Sequence, residues 1–262
     1  MNWKKIRKNK NFIAGSILTG IMLFMILMGC FYTPYNPNTM DPSAKFAGIS
    51  VKHLMGCDNF GRDIFSRVLS GSRTTLIVAA GTVLIGVTFG ILIGALTGYY
   101  GGILDEVLMR INDAVFAFPS ILLALLFISL LGSGKYHVII ALGIAFVPSF
   151  ARIVRSEFIR NKNMDYVKSA KLQGAGDFRI MFVHILPNTM TVLIGFNNAV
   201  LAEAGMSFLG IGVQPPDASL GRMLSEAQSF LFSVPMYALF PGLTIILLVL
   251  GFGLLSDGLK NE

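Results

Sequence analysis

Residues 166–188, YVKSAKLQGAGDFRIMFVHILPN, stand between two strongly apolar spans, yet they carry Lys168, Lys171, Asp177, Arg179 and His184. Charge at that density is too costly to place in hydrocarbon, so the stretch faces water. Val167, Ala170 and Gly174 recur at i, i+3, i+7 and give a first short helix a small-residue face. The Gly-Ala-Gly run at 174–176 then offers a residue for a left-handed C-terminal cap. Asp177 is placed to cap a second helix, in which Phe178, Met181, Phe182 and Ile185 share a face until Pro187 ends the hydrogen-bond ladder. The stretch predicts a helix-turn-helix knob on a membrane protein.

The rest of the chain has the composition of a host for such a knob. Of its 262 residues 54% are hydrophobic and only 13% charged, with a mean hydropathy of +0.69, which excludes an ordinary soluble domain. At about 20 residues per membrane helix this length holds six or so spans, one substantial loop and no appended domain. A net charge of +7 would suggest nucleic acid in a soluble protein. Here the basic residues cluster beside apolar spans, where they set orientation instead, and no nucleic-acid partner is expected.

Residues 1–11 carry Lys4, Lys5, Arg7, Lys8 and Lys10 ahead of the apolar run 12–32. That run is too long for the apolar part of a signal peptide and no small-residue cleavage site follows, so it reads as an uncleaved first span with a cytoplasmic N-terminus. Residues 33–74, with Pro34, Pro37 and Pro42, read as an extracytoplasmic loop. Residues 75–258 then hold five further spans, at about 75–98, 103–131, 138–154, 189–210 and 234–256, with a cytoplasmic loop at 156–188. Six spans put both termini inside. Fourteen of the 21 Lys and Arg then fall on the cytoplasmic side, as the positive-inside rule requires.

Within the spans, Gly86, Gly90, Gly94 and Gly98 make a four-residue stripe that lets another helix backbone approach closely. A helix over 103–131 would be about 43 Å long at 1.5 Å per residue, so its amphipathic start, with Asp105, Glu106, Arg110 and Asp113, projects beyond the hydrocarbon and Pro119 kinks it. Glu203 is the one carboxylate well inside a predicted span, beside Asn197 and Asn198. Such groups face a partner helix or a wet cavity, which makes the three candidates for a helix interface or a translocation path. Cys30 and Cys57 lack the spacing partners of a zinc site and could form a disulfide only if the fold brings them together; two unpaired thiols is the simpler reading. His53, His137 and His184 are scattered, so no metal site is expected. Gly132-Ser133-Gly134-Lys135 lacks the spacing of a phosphate loop and reads as a turn between spans.

At the knob the chain resembles the permease subunits of ATP-binding-cassette importers. Their cytoplasmic loop is written E-A-A, three residues, G, nine residues, I-x-L-P. Ala170, Gly174, Leu186 and Pro187 stand at that spacing, Lys168 and Ser169 replace the first Glu and Ala, and His184 takes the Ile position. Two further motifs narrow the resemblance to the second permease of dipeptide, oligopeptide and nickel importers. One is Asp58, Gly61, Arg62, Asp63, Phe65, Ser66, Arg67, Gly71 and Arg73; the other is SFLGIGVQPP at 207–216, ending on Pro215 and Pro216. GYYGGILDEVLMRINDAVFAFPS at 98–120 is similar to the same subunit, so the resemblance runs from about residue 12 to 258.

The resemblance implies an all-α integral membrane protein of six helices, the MetI-like fold of type I importers, in a bacterial cytoplasmic membrane. It implies a heterodimer with a homologous permease, two separate ATPase subunits that bind the ATP and magnesium, and an extracytoplasmic binding protein that delivers substrate. The chain itself would bind no cofactor and catalyse nothing. Lys168, Ser169, Ala170, Gly174, Ala175, Asp177, His184, Leu186 and Pro187 would couple it to an ATPase. Asp58, Gly61, Arg62, Asp63, Arg67, Pro215 and Pro216 would serve either docking of the binding protein or packing of the outer loops. Peptide importers and nickel-chelate importers share these motifs, with peptide the broader class. A secondary transporter or channel would want ion-coupling charges at the midplane, where only Glu203 qualifies. A membrane enzyme would want clustered catalytic groups, and the sequence shows none.

Overall fold

The structure is a computed structural model that describes residues 9–188 and 195–260. It is helical throughout, and the one β-type contact among the described residues is the isolated bridge of Cys57 with Asp63. The long helices are α1 (Lys10–Phe31), α2 (Ile64–Tyr100), α5 (Lys135–Asn161) and α10 (Pro235–Lys260). Between them lie α3 (Gly102–Phe116), α4 (Ser120–Leu131), α6 (Asp165–Leu172), the helical run α7 beginning at Asp177–Arg179, α8 (Phe196–Phe208) and α9 (Leu220–Ala227). Among the described residues four helices are long and apolar enough to cross a membrane, and α3 with α4 makes a fifth candidate. The fifth predicted span, 189–210, begins outside the described residues; α8 is the helical part of it that is described.

Two departures from the sequence reading have clear causes. The predicted kink at Pro119 is a break: α3 and α4 meet at 86°. Proline lacks the N–H that would continue the ladder, and the chain closes α3 on Phe118 N–H to Val115 C=O before restarting at Ser120. The loop expected to run to residue 74 ends at Asp63, because α2 begins at Ile64. Asp63 caps it: Oδ2 accepts from Ser66 N–H at 2.8 Å and from Ser66 Oγ at 2.7 Å. The first turns of α2 are rich in Ser, Thr and Arg, so composition hid a helix that its cap specifies.

The chain forms two compact units. One comprises the described residues in 1–80, 128–138 and 196–262. In it α1 lies antiparallel along α10, with Gly15 against the backbone of Leu254 and Leu255, Thr19 against Gly251, and Phe12 against Gly258. Gly15, Thr19, Met22 and Ile26 form the buried stripe of α1, while Ile17, Ile21 and Phe24 on the other side are exposed, as a helix in lipid leaves them. The start of α1 and the end of α10 therefore lie at the same end of this unit, joined by Asn9 Nδ2 to the Gly258 carbonyl at 3.4 Å.

The other unit comprises the described residues in 81–127 and 139–195. Its organising contact is the glycine stripe of α2 on α5. Gly86 and Gly90 face Phe150, Gly94 faces the backbone of Ala151 and Arg155, and Gly98 faces Arg155 and Phe158. A methyl group at Gly90, Gly94 or Gly98 would enter its neighbour, so the small residues set the distance between the helices. Arg155 then binds Asp105 of α3 through two 2.6 Å hydrogen bonds, and Arg152 binds Asp113 at 2.7 Å while stacking 4.0 Å from the Phe116 ring centre.

Candidate functional site

The knob is built on an apolar cluster. Val167 and Ala170 of α6 and Ile180, Met181 and Ile185 of α7 pack on Ala95 and Tyr99 of α2 and on Val154 and Phe158 of α5, with Leu186 and Ala175 at its margin. Gly174 takes φ +82°. Around it the Ala175 N–H donates to the Ala170 carbonyl and the Gly174 N–H to the Lys171 carbonyl, both at 3.0 Å, the paired bonds of a Schellman cap. The break between the two helices is thus the predicted one.

The second helix differs from its expected form. Gly176, not Asp177, occupies the capping position, and no side chain caps it. Asp177 stands in the first turn, where its charge suits the helix dipole, and its Oδ1 accepts a 2.5 Å hydrogen bond from the Tyr99 hydroxyl. After one α turn the run widens to a π-helix over Ile180–Ile185 and ends in a 3-10 turn at Leu186–Asn188. A π turn brings residues five apart onto one face, so Ile180 and Ile185 are both fully buried. Phe178, assigned to that face by α periodicity, is 73% exposed.

The other knob candidates divide by surface. Ala170 is buried; Lys168, Ser169 and Pro187 are exposed, and His184 is half-buried. Lys168 Nζ meets Asp165 within its own helix at 3.1 Å, so the replacement of the family's glutamate leaves an exposed local pair. Leu172, at 90% exposure, and Phe178 flank the Gly174 cap as a bare apolar edge. Sequence reasoning missed Tyr99, whose only signal was an aromatic at the end of a span.

The motif residues ahead of and in the first turn of α2 form a buried ion network. Asp58 Oδ1 accepts from the backbone N–H groups of Phe60 and Arg62, and its Oδ2 accepts from Arg62 Nε at 2.6 Å. Arg62 Nη2 donates to Glu226 Oε2 at 2.7 Å, Arg67 Nη2 to the same oxygen at 3.2 Å, and the Tyr237 hydroxyl to it at 3.1 Å. Arg222 Nε donates to Glu226 Oε1 at 3.3 Å. Burial works against the Arg62 charge, but Asp58 and Glu226 outweigh it and hold the guanidinium above its usual value. Arg67 is almost fully buried and reaches the Pro37 carbonyl as well. Gly61 turns the loop at φ +74°, where a Cβ would meet the Asp41 carbonyl. Asp63 caps α2 and accepts or shares a proton with His53 Nδ1 at 2.9 Å.

Arg62 and Arg67 therefore hold the loop before α2 to Glu226 of α9, with Asp58 behind them, while Gly61 and Asp63 shape the loop and the start of α2. Pro215 and Pro216 are exposed and stand outside the network. Glu226 and Tyr237, its far anchors, were not identified from sequence; the i, i+4 spacing of Arg222 and Glu226 was the available signal. Cys57 is buried and Cys30 exposed, and both are free thiols.

Glu203 is fully buried in its own unit, where Oε1 accepts from Ser207 Oγ at 2.7 Å and the hydroxyls of Thr75 and Ser219 face the carboxyl. Asn197 is half-buried and Asn198 exposed, so the structure does not bring the three together on one surface. Gly221 of α9 lies so close to the Ala204 carbonyl of α8 that no Cβ fits between them.

Residues 86–261 match the family described as binding-protein-dependent transport system inner membrane component, and residues 1–48 match the N-terminal transmembrane domain of oligopeptide transport permease C. The chain is 39% identical over 264 residues to the dipeptide transport system permease protein DppC of Alkalihalophilus pseudofirmus, covering 99% of this chain and 87% of that one. It is 38% identical to the glutathione transport system permease protein GsiD of Pectobacterium atrosepticum, covering 99% and 88%, and 36% identical to DppC of Haemophilus influenzae, covering 99% and 92%. With that agreement along its whole length, the chain belongs to the binding-protein-dependent transport system inner membrane components and is a permease subunit of an ABC importer, not an enzyme.

Proposed function

We propose that this chain forms one half of a translocation pore for short peptides, paired with a homologous permease and fed by an extracytoplasmic binding protein. ATP and magnesium are bound by separate ATPase subunits, one of which grips the knob at 165–188. One observation carries this reading: the knob presents Leu172 and Phe178 bare on either side of its Gly174 cap, while its inner face is anchored to α2 and α5 by the apolar cluster and by Tyr99 with Asp177. A body fixed that firmly to two long helices passes a push from a partner to the membrane region as a rigid lever.

Peptide is favoured over a nickel chelate because the relatives described above are named for dipeptide and glutathione transport. A cytoplasmic position for the knob and both termini follows from the distribution of Lys and Arg, and the antiparallel pairing of α1 with α10 supports termini on one side. The test is co-purification. Leu172→Asp with Phe178→Asp is expected to leave the chain in the membrane with its partner permease and to strip it of ATPase subunits. Undiminished ATPase recovery, with peptide uptake intact, refutes the reading.

A further inference from the structure

An open cleft of about 390 Å³ lies beside the knob, lined by Tyr99 and Tyr100 at the end of α2, Lys162 and Asn163 after α5, Lys171 of α6 and Asp177 of α7. Two ammonium groups reach it. Lys162 Nζ donates to the Tyr99 carbonyl at 3.3 Å, and Lys171 Nζ sits 5.3 Å from the Tyr99 ring centre. An ammonium has three donors, so each keeps hydrogen-bonding capacity for a ligand.

Of the carboxylates close by, Asp105 is neutralised by the two-point hold of the Arg155 guanidinium; Asp177 keeps its charge, since its Oδ1 accepts from the neutral Tyr99 hydroxyl, and the two lysines leave the lining with a net positive balance. Lys162 Nζ also stands 3.9 Å from the position a Gly101 Cβ would take, over the start of α3, whose capping residue supplies no side-chain hydrogen bond. The free N–H groups of that first turn add positive potential to the two lysines. Tyr99 and Tyr100 end a membrane helix, the place where tyrosines mark the headgroup level.

We propose that this cleft binds a phosphate group at the depth of the lipid headgroups, with Lys162 and Lys171 as its charged ligands and an anionic phospholipid as its natural source. Basic pockets among membrane helices take such headgroups, with about 1 kcal/mol per lysine or arginine near the surface, so losing both cations weakens binding about thirtyfold. A lipid held there would join the end of α2 to α6, the helix that opens the knob.

Native mass spectrometry of the full-length chain, purified with its partner subunits and titrated with phosphatidylglycerol or phosphatidylcholine, tests the assignment. The expected result is retention of phosphatidylglycerol over phosphatidylcholine, weakened about thirtyfold in Lys162→Gln with Lys171→Gln. Lys162→Arg with Lys171→Arg should retain it, which separates lost charge from lost folding. Arg110→Gln, an exposed change on α3, should leave phosphatidylglycerol retention unaltered. Inorganic phosphate binding that depends on both lysines, without lipid retention, assigns the same site to a free anion. Equal retention of phosphatidylglycerol by the wild type and the double glutamine variant, or an equal loss in Arg110→Gln, overturns the proposal.

Discussion

The Tyr99 hydroxyl and Asp177 Oδ1, 78 positions apart in sequence, share a 2.5 Å hydrogen bond that ties the last turn of a membrane helix to the first turn of the outer arm of the knob. The ring of Tyr99 lies in the apolar cluster beneath. Tyr99→Phe keeps the ring and deletes only this bond. It should cost about 1.5–3 kcal/mol of stability, the net worth of a hydrogen bond to a charged group. A rigid lever would then loosen, so substrate-stimulated ATP hydrolysis should fall while ATPase subunits still co-purify. Measurement of both in one preparation separates a coupling defect from an assembly defect.

Gly174 has open space where a side chain would go, so substitution there is opposed by backbone conformation alone. An L-residue at φ +82° costs about 1–2 kcal/mol, asparagine less than others, and a β-branched residue more. Thermal melting of the purified complex should rank Gly174→Asn above Gly174→Ala, and that above Gly174→Val. An alanine variant as stable as the wild type would contradict the left-handed cap.

Glu226 is the acceptor shared by Arg62, Arg67, Arg222 and Tyr237. Glu226→Ala leaves two buried guanidiniums with Asp58 as their one shared carboxylate, and breaking a buried pair by removing one partner costs about 3–5 kcal/mol, the lower end being expected here because Asp58 remains. Arg222→Ala removes a more exposed partner and should cost less than about 1 kcal/mol. Limited proteolysis of the outer loop should therefore be fast in the first variant and unchanged in the second.

Gly221 and Gly205 make a matched pair for packing. A methyl at Gly221 would enter the Ala204 carbonyl, whereas one at Gly205 meets nothing. Gly221→Ala should destabilise the chain by about 1–3 kcal/mol or abolish its accumulation, the usual cost of overpacking. Gly205→Ala should accumulate normally, as judged by membrane yield and melting temperature.

Cys57 is buried, and burial first, then Asp63, Asp58 and Asp41, pushes its thiol up to about 11. Because the folded value lies above the ordinary 9.0, the stabilisation tied to the neutral thiol is complete below the ordinary value and is lost as pH rises towards 11. In a Cys30→Ser background, maleimide at about pH 8 should label Cys57 slowly in the native chain and rapidly after denaturation, since the thiolate is the nucleophile. Rapid native labelling would show that the outer network does not seal it.

Much of this was readable in one dimension because the signals are local. Apolar length gives the spans, the four-residue glycine period gives the α2 face that meets α5, and Gly174 with its neighbours gives the cap of α6. Each depends on residues within a few turns of one another. The readings that differed were those that local period could not decide: the π turn that buries Ile180 in place of Phe178, and the polar opening of α2 that looked like loop.

The sequence by itself determined the membrane class, the knob and the family, since hydrophobic length, charge placement and turn chemistry act along the chain. Only the tertiary structure decided what the polar side chains do. It turned Asp177 from a cap into a partner of Tyr99, set Arg62 and Arg67 between Asp58 and Glu226, and sealed Glu203 among hydroxyls. The reason is physical: a buried charge must find its counterpart wherever folding brings one near, and that distance is set in space, not along the chain.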